Sequence, residues 1–376
     1  MTKRAHGQGS IYKRSDGKWC AQLTLPDGTR KYFYAATQAA AVKRLDKARR
    51  AIADHEPLPA ERLRLGAFLT DWLENTLKPR TRPLTYKYTA QKAQAHILPA
   101  LGKTKMVDIT TPMIQRHLNT LGKTLAPKTV KHVRDILRAA LNDAVAWGLL
   151  ARNPAANAQP PRLEKRHVAP LTLGEAQQLL AAVQSHRLAA LFAVGLACGL
   201  RSAEARGLRW EDLELDADQP VMRVRRQLQQ LDGQWQLVEP KTDNSRRTIP
   251  LPAVAGEALR GHRVRQLSER LKAGSEWQQP VPGLVFTDER GRPVLAQNLS
   301  RTFGTLLARA GLPERRFHDL RHACCSLLLA QGVPPSTVMD ILGHSNMATT
   351  MHIYREVSQA AMAEGVKALD FLAAER

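Results

Sequence analysis

The chain has 376 residues, 43% of them hydrophobic, with 56 Lys and Arg against 34 Asp and Glu and a formal net charge of +22. This length exceeds one ordinary hydrophobic core, so two or three domains are expected. The cationic excess predicts a polyanionic partner, nucleic acid above all, and no apolar run approaches the ~20 residues of a membrane-spanning helix.

Two Asp-Gly pairs organise the first segment, residues 1–57. Asp16-Gly17 and Asp27-Gly28 each separate short runs of strand-forming residues, which is a signal of β-hairpins. Three short antiparallel strands are therefore predicted, followed by one helix that Thr37 can cap. Residues 1–60 contain twelve Lys and Arg and five Asp and Glu, a net charge of +7. Such a thin basic sheet can lie in a DNA groove.

The aromatic residues of this sheet allow a second interpretation. The two faces of a strand alternate, so about half of these side chains should pack against the helix instead of facing DNA. The residues concerned are Trp19, Tyr32 and Phe33.

Apolar residues at helical spacing predict four helices between residues 62 and 155. The first ends at the stretch Pro79–Pro83, and the second runs from about Leu84 to Ile97 and stops at Pro99. Thr111-Pro112 begins the third, and a long apolar stripe marks the fourth. The polar faces of this module carry basic residues that are either solvated or in contact with DNA phosphates. These residues are Lys87, Lys92, Lys123, Lys128, Lys131, His132, Arg134 and Arg138.

Prolines and basic residues between Asn153 and Pro170 predict an extended linker to a third module, residues 168–376. In this module an apolar helix from Leu188 to Cys198 ends just before Arg201. Short strands are predicted at Val221–Val224, Gln236–Val238 and Thr248–Ile249, and later helices at about Ala253–Leu271, Asn298–Ala310, Phe317–Ala330 and Ser336–Leu342.

Five short motifs stand in order along the third module. They are Ala197–Glu204, Pro240-Lys241-Thr242 with Arg247–Leu251, His318–His322, Leu342–Ser345 and the isolated Tyr354. Each motif alone is weak, but their order and spacing together resemble those of the tyrosine recombinases, the phage-integrase family. By this resemblance Glu204 supports the active site. The catalytic residues that the resemblance implies are Arg201, Lys241, His318, Arg321, His344 and the nucleophile Tyr354.

These residue types suit attack on a DNA phosphodiester. Two guanidiniums, from Arg201 and Arg321, can bind the non-bridging oxygens and stabilise the charge of the transition state. A tyrosine phenol has a pKa of about 10 and needs nearby cations and a proton acceptor to become a nucleophile. Lys241 can protonate the leaving 5′-oxygen. Either His318 or His344 could accept the phenolic proton, and the sequence does not decide between them.

Each of these side chains has a simpler interpretation when it is considered alone. His318 would be a capping or core histidine, and Tyr354 a surface tyrosine. Arg201 and Arg321 would be ion-pair residues. Only the whole set of these residues, in this order, indicates an active site.

The resemblance implies a multidomain, mainly α-helical protein with small β-sheets. Residues 1–57, a three-stranded sheet with one helix, resemble an arm-type DNA-binding domain. Residues 62–155 resemble the helical, SAM-like core-binding domain. Residues 168–376 resemble the α+β catalytic domain of a tyrosine recombinase, ending in a tail helix. Because the family's tails dock into neighbouring protomers, we expect a monomer in solution and a homotetramer on DNA.

The expected function is that of an integrase that cleaves and rejoins DNA through a 3′-phosphotyrosyl intermediate and a Holliday junction, during integration and excision of a mobile element. Its partners would be double-stranded DNA, with core-type and arm-type sites, and DNA-bending accessory proteins. No membrane is expected as a partner. The protein would act in the cytoplasm of a bacterial host. One alternative is a recombinase that resolves DNA dimers, against which the basic N-terminal module argues. Another is a non-catalytic architectural protein, against which the intact catalytic set argues.

We expect no cofactor and no metal ion. The sequence has neither a carboxylate cluster with metal spacing nor a G-x-x-x-x-G-K-[ST] loop for ATP. Its four cysteines lack the C-x-x-C spacing of zinc sites, and this usage fits a reducing compartment. Cys324 and Cys325 lie in an apolar helical pattern and are expected to be small core residues. A phosphotyrosyl bond would conserve the energy of the broken phosphodiester, so religation needs no external energy source.

Overall fold

The computed structural model divides the chain into two compact units, Met1–Lys165 and Arg166–Arg376. Lys241, His344 and the predicted tail helix lie outside the described residues, so the predictions for them stay predictions. The structure describes residues 10–13, 17, 19–24, 30–53, 63–163, 169–240, 245–343, 347, 350, 351 and 353–355.

The predicted N-terminal sheet and helix are present. Strands β1 (Ser10–Lys13), β2 (Trp19–Thr24) and β3 (Arg30–Ala35) form an antiparallel sheet in that order, and helix α1 (Gln38–Ala53) packs on it. Thr37 caps the helix as expected, since its Oγ1 accepts a hydrogen bond from the Ala40 N–H at 3.3 Å. This bond satisfies one of the N–H groups that a helix start leaves unpaired.

The two faces of this sheet differ as strand alternation predicts. Phe33 is buried in the cluster that the sheet and α1 enclose, and Trp19 packs partly against that cluster. Tyr12 and Tyr32 are 44% and 43% exposed. The register pairs Gln22 with Tyr32 and Ala21 with Phe33, so Tyr32 lies on the face opposite the helix. The aromatic residues are therefore divided between core and surface.

Four helical runs form a second hydrophobic cluster in the same unit, as predicted. The first two contain π-helical stretches, Trp72–Leu77 and Ala93–Ile97. The runs are α2 (Leu65–Asp71, continuing to Arg80), α3 (Pro83–Lys92, continuing to Leu101), α4 (Thr111–Leu121) and α5 (Pro127–Ala146).

Two expectations about this module's boundaries are wrong. The second run does not stop at Pro99, because this proline lies in the first turn of the segment Leu98–Leu101, where its missing N–H leaves no intrahelical bond unmade. The start of the predicted linker is not extended, since Ala155 and Ala158 are buried in the helical cluster. The Thr111 hydroxyl also donates a hydrogen bond to the Pro154 carbonyl at 2.7 Å. Residues up to Ala158 therefore belong to this module's packing.

The second unit combines helices with two small antiparallel sheets. One sheet has the order β4-β5-β8 and the other is the hairpin β6-β7, which is inserted between β5 and β8 in the chain. No local pattern predicts β4, since only its pairing with β5 defines it. The strands are β4 (Leu213–Glu214), β5 (Val221–Val224), β6 (Gln227–Leu231), β7 (Gln234–Val238) and β8 (Arg247–Pro250). The helices are α6 (Leu173–Val183), α7 (Ala189–Ala197), α8 (Ser202–Arg206), α9 (Ala253–Ala273), α10 (Ala296–Arg309), α11 (Asp319–Ala330) and α12 (Pro335–Leu342).

Helix α7 lies at the centre of this unit, and nearly all of its side chains are buried. Phe192 on α7 stacks against Phe303 with ring centroids 5.4 Å apart and contacts Phe317 at 6.2 Å. At Gly195 an added Cβ would come within 2.8 Å of Phe317, so glycine permits the close packing of α7 against the segment that leads into α11. The hydrophobic core thus places the ends of α7 and α11 side by side.

All four cysteines are buried, which confirms the prediction that Cys324 and Cys325 are core residues. Burial raises the pKa of the Cys198 and Cys324 thiols to about 12, so both stay protonated at neutral pH. Among the helices of the described part of the chain, none is long and apolar enough to cross a membrane.

Phe192→Ala is expected to destabilise the second unit by about 3–5 kcal/mol, because it removes a fully buried ring and leaves a cavity. Amide hydrogen exchange, measured on peptides from each unit, reports the two units separately. Val264→Ala on α9 is a matched control, since Val264 is 70% exposed and its truncation should change stability by no more than about 0.5 kcal/mol. Equal exchange in the two variants would contradict the assigned core.

Candidate active site

Arg201 lies in the short connection between α7 and α8. Gly199 has φ of +61°, a conformation that favours glycine, and an added Cβ would meet Leu342 at 2.1 Å. Arg201 directly precedes α8 and is half-buried. Its Nη2 donates to the Gly343 carbonyl at 3.0 Å. The guanidinium is thereby held next to the end of α12.

Glu204 is the buried carboxylate of this site. Its Oε1 accepts a hydrogen bond from Arg201 Nη1 at 2.6 Å, and its Oε2 accepts one from the Arg201 backbone N–H at 3.1 Å. Arg247 Nη2 donates to the same Oε2 at 3.1 Å. Burial by itself would raise the pKa of Glu204. Together, Arg247 and Arg201 lower it by more than burial raises it, so the pKa is below the ordinary value. Glu204 is therefore ionised at neutral pH and bridges two guanidiniums.

Arg321 lies on the buried face of α11. Its Nη1 donates to the Gly199 carbonyl at 2.8 Å, which ties α11 to the turn before Arg201. Its Nη2 is buried and has no hydrogen-bond partner among the described residues. Burial, and then the charge of nearby Arg201, lowers the pKa of Arg321 to about 9, so it remains a cation at neutral pH. A cation held in this way favours an anionic ligand.

His318 directly precedes α11, one turn before Arg321. The residue is exposed at the surface of the free protein, but desolvation of its ring by the surrounding protein lowers its pKa to about 4, with smaller contributions in the same direction from His322, Arg321 and Arg201. Its ring lies edge-to-face with that of His322, with centroids 5.1 Å apart. His318 is therefore neutral at neutral pH and able to accept a proton or a hydrogen bond.

Tyr354 is helical, and its side chain is 38% exposed. The preceding residue, Ile353, is buried in a cluster with Cys325 and Leu329 of α11 and Val338 of α12. This packing fixes the segment that carries Tyr354 against the same helix that carries Arg321.

The structure thus brings Arg201, His318 and Arg321 together. Arg321 donates to the Gly199 carbonyl two residues before Arg201, His318 directly precedes the helix that carries Arg321, and the charges of Arg321 and Arg201 both lower the pKa of His318. Lys241 and His344 lie outside the described residues, although Ser245 and Gly343, which are close to them in the chain, are placed. The sequence places Arg247 at the start of the Arg247–Leu251 motif but does not indicate its ion pair with Glu204. No local signal could have found this pair, because its members are 43 residues apart.

Comparison with known proteins identifies this arrangement. Residues 170–361 match the model of the phage integrase family. The chain belongs to the phage integrase family. Residues 64–122 of this integrase match the model of the N-terminal SAM-like domain of phage integrases, which agrees with the helical module described above.

Individual relatives extend the match over nearly the whole chain. A "Tyrosine recombinase XerC-like" protein of Caldanaerobacter subterraneus subsp. tengcongensis is 33% identical over 363 residues, covering 91% of this chain and 92% of the relative. An integrase of Streptomyces ambofaciens is 29% identical over 388 residues, covering 98% of this chain and 97% of the relative. The integrase described here is a tyrosine-type site-specific recombinase of the phage and mobile-element kind.

Among solved structures, a lambda integrase tetramer bound to a Holliday junction has a similar fold. It superposes with a TM-score of 0.57 at 18% identity, covering 93% of this chain and 96% of the lambda chain. The expected fold class, mainly helical with small sheets in the N-terminal and catalytic parts, is confirmed. Within the described residues, no three or more His, Cys, Asp or Glu side chains are grouped as metal ligands.

His318→Gln should flatten the acid side of the stability profile. The folded pKa of His318 is about 4, below the ordinary 6.5. Between these values the unfolded chain binds a proton that the folded chain does not, so stability is lost as the pH falls through this window. Urea titrations of wild type and variant at about pH 7 and about pH 4.5 would measure the loss. An equal loss in both proteins would contradict a lowered pKa of His318 in the folded protein.

Proposed function

We propose that this integrase cleaves and rejoins DNA through a 3′-phosphotyrosyl intermediate formed on Tyr354. The observation that carries the proposal is the convergence of Arg201, Arg321 and a neutral His318 where the ends of α7 and α11 meet. Arg321 contributes a buried N–H group that has no partner in the described part of the protein. A phosphodiester oxygen is an acceptor of the right charge for that group.

The two guanidiniums bind the non-bridging oxygens of the scissile phosphate. Both are already oriented by contacts on their other sides, Arg201 by Glu204 and Gly343 and Arg321 by Gly199. They therefore need little reorganisation when charge accumulates on the phosphate in the transition state.

Tyr354 attacks the phosphorus atom, and a histidine accepts its proton. His318 is neutral in the free protein, and the negative charge of a bound phosphate next to it would raise its pKa toward neutrality, which suits a general base. His344 donates a hydrogen bond to a non-bridging oxygen in this proposal. Lys241 protonates the leaving 5′-oxygen. The 5′-hydroxyl of another strand then attacks the phosphotyrosyl bond and releases Tyr354, so the number of phosphodiester bonds is conserved without a cofactor.

An arginine-lined groove beside β8 supports DNA contact close to this site. Glu211 pairs with Arg209 and Arg226, and Glu239 pairs with Arg246, which orients these side chains. Arg225 is half-exposed and has a weaker contact, 3.8 Å from Asp212. Its remaining N–H groups are suited to phosphate contacts. The half-buried and exposed arginines that line the groove are Arg209, Arg223, Arg225, Arg226 and Arg246.

We assign the three modules of the sequence to three tasks. Residues 62–155 bind core-type DNA, residues 168–376 perform the chemistry, and residues 1–57 bind arm-type DNA. The exposed Tyr12 and Tyr32 support the last assignment, because they offer aromatic and hydroxyl groups on the sheet face opposite α1. This second DNA-binding face favours integration and excision over the resolution of DNA dimers, which needs only core sites.

We infer that four protomers assemble on DNA, with DNA-bending accessory proteins, in the cytoplasm of a bacterial host. Two duplexes with two cleavage sites each require four nucleophiles. The fold likeness to a lambda integrase tetramer on a Holliday junction supports this assembly. A purely architectural role is the weaker candidate, because it would not require a neutral histidine beside two buried or half-buried guanidiniums.

Tyr354→Phe is expected to abolish covalent attachment to DNA, by about 10⁴-fold or more, while DNA binding stays unchanged. The protein is incubated with nicked DNA of its source genome, so that a short 5′-hydroxyl fragment diffuses away and the intermediate is trapped. Sequencing the attached ends then identifies the cleavage site, and a duplex with that sequence is called the trapped-site duplex below. Tyr88→Phe is the matched control, since Tyr88 is an exposed tyrosine of the helical module. Attachment that persists in Tyr354→Phe would refute the nucleophile.

Replacing the two exposed tyrosines together, with Tyr12→Ala and Tyr32→Ala, is expected to weaken binding to arm-type DNA by about tenfold or more, because each hydroxyl can contact the phosphate backbone of the duplex. Cleavage of the trapped-site duplex alone should not change. The loss of arm-type binding is measured as reduced recombination of substrates with distal sites. Deletion of residues 1–57 should cause the same reduction. Val42→Ala, on the exposed side of α1, serves as the control. Unchanged recombination in the double variant and the deletion would rule out an arm-binding role.

A further inference from the structure

Arg247, at the start of β8, uses three nitrogen atoms to contact three separate parts of the second unit. Its Nη2 donates to Glu204 of α8 at 3.1 Å, its Nε to the Ile341 carbonyl of α12 at 2.6 Å, and its Nη1 to the Ser245 carbonyl at 3.1 Å. Only 6% of its side chain is exposed. One planar guanidinium therefore connects an α-helix, the last turn of another helix and the connection before a strand.

Each of these acceptors is close in the chain to a proposed catalytic residue. Glu204 binds Arg201 through both carboxylate oxygens. Ile341 is three residues before His344, and the intervening Gly343 accepts a hydrogen bond from Arg201. Ser245 is buried and four residues after Lys241. Three of the motifs that supply catalytic groups thus meet at Arg247.

The charges around Glu204 make the orientation of Arg201 depend on Arg247. Glu204 is buried, and an unpaired carboxylate there would be costly. Its Oε2 is shared between Arg247 and the Arg201 backbone, and its Oε1 is bound by the Arg201 side chain. Loss of Arg247 would leave Glu204 with Arg201 alone and would leave the Ile341 carbonyl without this donor. The orientation of the Arg201 guanidinium therefore depends on a residue that need not touch DNA.

We propose that Arg247 is a positioning residue for DNA cleavage, which holds the segment after Lys241 and the segment before His344 against the Arg201–Glu204 pair. This inference rests on the proposed function. A positioning residue differs from a purely structural ion pair in one respect. Its replacement must slow DNA cleavage by more than it weakens folding or DNA binding.

The same unit contains a matched structural pair, Arg187–Glu269. Arg187 binds Glu269 through two hydrogen bonds, Nε to Oε1 at 2.8 Å and Nη2 to Oε2 at 2.5 Å, and also donates to the Thr287 carbonyl. Both side chains are less than one-fifth exposed. This pair joins the start of α7 to α9, and none of its members or acceptors is near a proposed catalytic residue in the chain. Arg187 is therefore a control for the loss of a partly buried, multiply bonded arginine.

The experiment compares Arg247→Met, Arg247→Lys and Arg187→Met in the full-length protein. Three quantities are measured: thermal unfolding, equilibrium binding to the trapped-site duplex, and the single-turnover rate of covalent attachment to that duplex with a nick. Displacement of catalytic groups by about 1 Å can cost about 10²-fold in rate, so Arg247→Met should attach at least that much more slowly, with its affinity for DNA within about threefold of wild type. Arg187→Met should lower the unfolding temperature and leave the attachment rate within about threefold of wild type.

Arg247→Lys keeps the charge beside Glu204 but lacks the planar fork that reaches the carbonyls. It should remain folded even if Arg247→Met does not, and should still attach to DNA about tenfold or more slowly than wild type. Full recovery of the rate in Arg247→Lys would overturn the proposal, because charge pairing alone would then suffice. Equal rate losses in Arg187→Met and the Arg247 variants, or a parallel loss of binding and rate, would overturn it as well. Failure of the proposed function gives a different result, because the wild-type protein would then form no covalent attachment through Tyr354.

Discussion

A buried carboxylate shared by two arginines is the interaction on which the site of this integrase depends. Glu204 is almost fully covered, yet it stays ionised because Arg201 and Arg247 both bind it. A buried charge must be paired or it opposes folding, so the three residues stabilise one another. Arg321 is also a cation. Its burial lowers its pKa, and the charge of nearby Arg201 lowers it as well. Three guanidiniums with one carboxylate leave a net positive environment, which is what a phosphodiester requires.

The hydrophobic core supplies the geometry for these charges. Helix α7 is buried on nearly all sides, and Gly195 lets the segment before α11 approach it closely. The same approach brings the Gly199 carbonyl within hydrogen-bond distance of Arg321. Ile353 then packs the Tyr354 segment against α11. The positions of the polar groups are therefore consequences of apolar packing one layer beneath them.

Local signals accounted for most of the elements. The Asp-Gly turns, the Thr37 cap and the apolar stripes of the helical module predicted elements that the structure contains. The misses have two causes. The helical run continues through Pro99 because this exposed proline lies in the first turn of Leu98–Leu101, where a proline is tolerated. The other misses depend on tertiary contacts: Ala155 and Ala158 of the expected linker are buried in the helical module, and strand β4 is defined only by its pairing with β5.

The sequence by itself determined the family, the candidate catalytic residues and the excess of positive charge, because these depend on residue types and on their order along the chain. Only the tertiary structure decided how these residues are held. The contacts that orient Arg201, Arg247 and Arg321 join residues that are 142, 94 and 122 positions apart, and their acceptors are backbone carbonyls that every residue possesses. No pattern of side chains predicts which carbonyl will lie near which arginine. The packing of α7, α11, α12 and β8 around one core determines these contacts, including those of Arg247, which its sequence motif did not indicate.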